Sequence, residues 1–176
     1  MPVIGNIDRF ATQYELDSDP GGQWMFGKFC YWCAGQMIGD YELGTSLRDV
    51  LFQLENTNKR VTDRESKRLF RLKPLDAFRL LDAALYGYIT LNNSDAAERE
   101  NWARHNVIPP VDTFDRWKAF VVGDEITEKI IFSQTPFHDV HTFELRHNEV
   151  GKIIESTCSA LDEIYQRTTL AGDTGR

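Results

Sequence analysis

At 176 residues the chain is slightly longer than one typical domain and too short for two comfortable ones. A globule of this size buries roughly 70% of its unfolded surface, so 41% hydrophobic residues can build a core without staples. Three cysteines exclude a closed disulfide framework, and a net charge of -7 argues against general nucleic-acid binding.

The chain order begins with strands. Phe10, Thr12, Tyr14 and Leu16 alternate with Ala11, Gln13 and Glu15, the two-residue period of a sheet. Asp17-Ser18-Asp19-Pro20-Gly21-Gly22 supplies turn residues, and an aromatic run from Trp24 to Ala34 returns the chain as a hairpin. A short third strand is expected around Gln36-Met37-Ile38-Gly39, with Gly35 allowing the turn before it.

Helical spacing follows. Ser46 and Asp49 form a capping-box-like start, and Leu47, Val50, Leu51 and Leu54 fall on one face. Pro74 suits a helix N1 position, with Leu75, Phe78, Leu81 and Leu85 as its stripe and Gly87 at its end. A polar helix is expected from Ser94 to His105, closed by Pro109-Pro110.

Strands return from Trp117 to Val122 and from Ile126 to Phe132, flanking a three-residue loop, Gly123-Asp124-Glu125. A further strand is expected from Val140 to Arg146. The last helix is the clearest element: Val150, Ile153, Ile154, Thr157, Cys158, Leu161, Ile164 and Tyr165 form one stripe. Residues 168–176 read as a frayed polar tail. Strands, helices, strands and a helix predict one α+β domain over residues 1–176, a mostly antiparallel sheet with helices on one face and a long C-terminal amphipathic helix.

Charge is unevenly spread. From Lys59 to Lys73 there are seven basic residues against two acidic ones, leaving 13 basic and 25 acidic residues elsewhere. The surface outside that segment is acidic, which points to a basic partner. The segment could contact nucleic acid, the alternative function, but it holds one aromatic, Phe70, and no stacking platform. On the other reading Leu69, Phe70 and Leu72 dock a short helix while the cations stay solvated.

No constellation points to catalysis, a cofactor or a metal. Cys30-Tyr31-Trp32-Cys33 is a C-x-x-C, yet redox use needs both sulfurs at a helix N-terminus. In a strand, side chains three apart face opposite ways. His141 and His147 would stand roughly 20 Å apart on a regular strand, too far for one ion, and His138 lies in a loop. Nucleophile elbows, phosphate loops and zinc-protease motifs are missing. The N-terminus lacks the basic start of a signal peptide, and no apolar run nears the ~18 residues of a membrane span. The expected location is the cytoplasm, where free thiols persist. A small-molecule substrate is not expected.

Two stretches carry a resemblance. Ile4-Gly5-Asn6-Ile7-Asp8-Arg9-Phe10-Ala11, leading into Tyr14-Glu15, resembles the opening of immunity protein family forty-two of bacterial polymorphic toxin systems. Phe114-Asp115-Arg116-Trp117-Lys118-Ala119-Phe120-Val121-Val122-Gly123-Asp124-Glu125, continuing through Glu128-Lys129-Ile130-Ile131, is similar to that family's aromatic strand and hairpin. Gly35 with Ile38-Gly39-Asp40, the strand from Val140 and the long last helix fit as well; residues 57–106 are the looser part. The resemblance implies a cytoplasmic, non-catalytic immunity protein. It would bind the C-terminal domain of a cognate toxin, expected to be a basic nuclease of a contact-dependent growth inhibition system. The candidate toxin-binding residues are Asp17, Asp19 and Trp24 at the first tip, and Asp112, Asp115, Asp124, Glu125 and Glu128 in or near the later turns.

Overall fold

A computed structural model describes residues 1–59, 64–87, 102–136 and 139–173. The chain forms two compact units, each discontinuous in sequence. The first takes Met1–Lys59, Pro109–Arg116 and Glu149–Arg176; the second takes Arg60–Ile108 and Trp117–Asn148. The α+β class holds, with antiparallel strands and a long C-terminal helix. The strands make two sheets rather than one, because those before and after the central helices pair only among themselves.

In the first unit, β1 (Val3–Gly5), β2 (Phe10–Leu16), β3 (Phe26–Cys33) and β4 (Gln36–Ile38) lie in that order. The β2–β3 ladder runs from Phe10 opposite Cys33 to Leu16 opposite Gly27. Beyond it, β3 shares its second edge between β4, at Tyr31–Cys33, and β5 (Thr45–Ser46), at Phe26–Gly27. The turn into β4 places Ala34 and Gly35 at φ 50 and 77, the left-handed pair of a tight hairpin. Gly27 is required by close approach: a Cβ there would stand 2.1 Å from the Glu15 carbonyl oxygen.

The helix α1 (Leu47–Asn58) starts as expected, Ser46 accepting a hydrogen bond from the Asp49 N–H at 3.2 Å. Its buried face is Leu47, Val50, Leu51 and Leu54. The last helix packs on α1 and on β2, burying Val150, Ile154, Thr157 and Leu161. Each large apolar side chain in that seam contributes about 1.5–3 kcal/mol by leaving water. The helix runs from Glu149 to Asp173, into the stretch from residue 168 expected to fray. There the Thr168 and Thr169 hydroxyls donate back to the Tyr165 carbonyl.

A short 3-10 turn, Asp112–Phe114, is fastened to the same sheet. Thr113 Oγ1 donates to the carbonyls of Asp40 (2.6 Å) and Phe29 (3.2 Å), and the Asp40 N–H donates to the Thr113 carbonyl at 2.7 Å. The Phe114 ring lies 6.0 Å from Phe29 and 5.0 Å from Tyr31. Gly39, at φ +112, leaves room for it, since a Cβ would meet Phe114 at 2.9 Å.

The second unit is the sheet β6 (Trp117–Gly123), β7 (Thr127–Gln134) and β8 (His141–Arg146) with α2 (Lys67–Arg71) and α3 (Pro74–Tyr86). Its core gathers Leu69, Phe78, Leu81, Trp102, Phe120, Val122 and Ile131. Pro74 opens α3 and Gly87 ends it, as expected. The hairpin loop falls one residue later than the sequence pattern predicts: β6 ends at Gly123 and β7 begins at Thr127, leaving Asp124, Glu125 and Ile126 at the tip. Most of the polar helix expected from Ser94 lies outside the described residues. Trp102 and the 3-10 turn Ala103–His105 close that stretch.

Candidate functional site

The candidate site is built at the open end of β3. Gly21 and Gly22 adopt φ 66 and 62, and Met25 φ 53, so the chain coils through the 3-10 turn Gly22–Trp24 before β3 begins. Met25 is driven into the core, while Trp24 and Phe26 on either side stay 45% exposed. Their rings stack, with centroids 6.3 Å apart and planes 6° from parallel. The Arg48 guanidinium lies over the Trp24 indole at 3.7 Å and pairs with Asp49 at 2.9 Å. Farther along α1, exposed Phe52 meets Tyr165 of the last helix edge-on at 5.6 Å.

Beside this aromatic ridge opens a cleft of about 620 Å³. Gly27, Gly44, Thr45 and Ser46 line it, Phe26, Leu43, Pro110 and Val111 give it apolar surface, and Asp17, Asp49 and Asp112 give it carboxylates. None of its lining side chains is basic. Asp17 and Asp112 make no ion pair or side-chain hydrogen bond among the described residues. Lys28 feels Asp17 weakly but spends its ion pair on Glu42 at 2.6 Å. Ninety-five residues apart in sequence, Asp17 and Asp112 line the same cleft, where Thr113 pins the Asp112–Phe114 turn to β3.

The other expected docking residues fall into two groups. Asp19 accepts from the Gly21 N–H at 3.3 Å and shapes the tip, and Asp115 caps the Asp112–Phe114 turn through its own N–H. Asp124, Glu125 and Glu128 belong to the second unit. The Asp124 carboxylate accepts from the N–H groups of Thr127 (2.8 Å) and Ile126 (2.9 Å), and those bonds hold its pKa below the usual carboxylate value. Glu125 pairs with Lys67 at 2.6 Å in an exposed contact. Glu128 is only 4% exposed, its carboxylate accepting from the Asn148 N–H at 3.0 Å, so it lies below the surface. Sequence reasoning missed Phe26, Leu43, Asp49, Pro110 and Val111. Asp49 was visible only as part of a helix cap, and the others carry no local signal.

Cys30, Cys33 and Cys158 are free, and burial pushes each thiol up to about 12. In the basic segment, Leu69 is fully buried in α2, Arg64 Nε donates to the Arg104 carbonyl at 2.8 Å, and Lys67 holds Glu125. Among the described residues no group of three or more His, Cys, Asp or Glu side chains could hold a metal ion. None of the described helices is long and apolar enough to cross a membrane.

A family model described as immunity protein 42 matches residues 1–159. The chain belongs to that family. The match includes β1 to β8, α1 and the cleft, and it reaches past Cys158 in the last helix. Among solved structures, CdiI from Burkholderia dolosa AUO158 is similar at a TM-score of 0.72 and 16% identity, over 90% of this chain and 99% of that one. At that identity the likeness establishes a shared fold for this immunity protein 42 member. No curated protein matches the chain by sequence.

Proposed function

We propose that the chain neutralises a cognate antibacterial toxin by binding it, without turnover, in the cytoplasm of the cell that makes both. Membership of an immunity-protein family over residues 1–159 carries this reading. The fold shared with CdiI supports a toxin of the contact-dependent growth inhibition kind.

The toxin is a nuclease on this reading. A protein that holds phosphates presents basic surface, and a partner of net charge -7 meets it by long-range attraction. Docking over the active site or substrate groove then excludes the nucleic acid. A standard interface buries roughly 1,600 Å², and tight inhibitors of that size reach nanomolar affinity or better. Asp17, Asp19, Trp24, Asp112 and Asp115 are the docking candidates of the first unit, and Asp124 and Glu125 those of the second. The nucleic-acid-binding alternative loses ground where Arg64 is buried and Lys67 is ion-paired.

Co-expression with the toxic domain encoded beside this chain tests the reading. The expected result is survival of the cells, co-purification of the two proteins, and loss of nuclease activity at a one-to-one ratio. Death of cells that contain soluble chain overturns it.

A further inference from the structure

We infer that the cleft between β3, α1 and the Asp112–Phe114 turn is the specificity pocket for an arginine-bearing loop of the toxin. This rests on the immunity reading and adds the chemistry of the contact.

The occupant must be cationic. Asp17, Asp49 and Asp112 all line one cleft that no basic side chain lines, and the nearby cations Lys28 and Arg48 hold Glu42 and Asp49. Asp17 and Asp112 are thus the carboxylates that stay available. A cation arriving from outside gains attraction to each of them, in a concave site where field lines are focused.

The occupant must also be planar and long. The apolar surface of Leu43, Pro110 and Val111 suits an aliphatic stem. Phe26, 45% exposed, adds aromatic surface to the same cleft. Arg48 already shows that this corner receives a guanidinium on an aromatic face, lying over Trp24 at 3.7 Å. Guanidinium, which is weakly hydrated and stacks on rings, fits better than the compact, strongly hydrated ammonium of lysine. The volume of about 620 Å³ exceeds one side chain, so the arginine enters with part of its loop.

Two measurements test this. The first uses the full chain and a catalytically inactive form of the toxin domain encoded beside it. Asp17→Asn with Asp112→Asn is expected to weaken binding at least tenfold, chiefly by slowing association, and to flatten its salt dependence. Trp24→Ala is expected to speed dissociation tenfold. Asp76→Asn with Glu144→Gln, exposed acidic positions of the second unit outside the docking candidates, serves as the control and changes affinity less than twofold. Equal binding by the wild type and the Asp17/Asp112 variant, both folded by circular dichroism, overturns the cleft alone.

The second measurement needs no toxin. Acetyl-Arg-Arg-amide is titrated into the isotope-labelled chain and followed by amide NMR. Saturable shifts at Gly27, Gly44 and the Trp24 indole are expected, absent in the Asp17/Asp112 variant and weaker with acetyl-Lys-Lys-amide. Shifts scattered over the surface, or none, overturn the cleft. If the peptide fills the cleft while the toxin domain fails to bind, the cleft stands and the immunity reading fails.

Discussion

The hydroxyls of Thr12 and Thr157 meet at 2.7 Å with both residues fully buried, tying the second strand to the last helix across 145 positions of sequence. Thr157 Oγ1 also donates to the Ile153 carbonyl one turn back, at 2.7 Å. Its single proton is therefore spent, and Thr12 is the donor between the two. The pair is directional.

That direction makes the two threonines unequal. Thr157→Val strands a buried donor on Thr12 and is expected to cost about 1–3 kcal/mol. Thr12→Val removes the donor and leaves a Thr157 hydroxyl that still donates to the Ile153 carbonyl, so it is expected to cost less. The double variant is expected to be milder than the two losses added together, because neither partner is then left unmet. Urea unfolding of the three variants measures this, and strict additivity counts against it.

Acid stability reports on the second hairpin. Bonds from Thr127 and Ile126 lower the Asp124 pKa in the folded chain. A carboxyl with a depressed folded value lends stability that is complete above its unfolded pKa of about 3.9 and vanishes as pH falls through the folded value. The gap in melting temperature between wild type and Asp124→Asn is expected to be constant above about pH 5 and to close below about pH 4. A gap that ignores pH rules this out.

The thiols are expected to be inert. Pushed up to about 12 by burial, Cys30, Cys33 and Cys158 carry almost no thiolate at pH 8. A disulfide reagent is expected to react slowly with the native chain and to titrate three thiols once denaturant is added. Cys30→Ser with Cys33→Ser is expected to keep toxin binding with some loss of stability. Loss of binding by that variant in folded form would restore a functional role to the pair.

Gly27→Ala tests the strand approach that floors the cleft. With a Cβ 2.1 Å from the Glu15 carbonyl, β2 and β3 must separate. Overpacking of this kind is expected to cost about 3 kcal/mol or more. Gly22→Ala, nearby, has no atom within 4 Å of its Cβ and is expected to cost less, its strain coming from φ +62 alone. Thermal melts of the two variants compare them directly.

Much of this fold was legible in the residues because its elements announce themselves locally. Ser46 before Leu47, Pro74 at a helix start, the alternation from Phe10 and the stripe from Val150 are all short-range patterns. The hairpin loop slipped by one residue because the Asp124 side chain, not Gly123, organises the turn. The division of β3's second edge between β4 and β5 left no trace in local spacing. Nor did the cleft: Asp17 and Asp112 were each marked as acidic turn residues, but their place on one cleft goes with Thr113 bonding to Phe29 and Asp40. Long-range placement by buried hydrogen bonds has no periodicity to read.

The patchwork ancestry of the first unit sets a timetable for protection. Its sheet comes from the beginning of the chain, one cleft wall from residues 110–112, and its covering helix from Glu149 onward. A ribosome therefore releases the strands long before the helix that shields them, and such distant pairings assemble slowly. On the immunity reading, a half-made copy is expected to offer no grip on a toxin, so that a cell's defence would rest on its stock of finished molecules rather than on those in production.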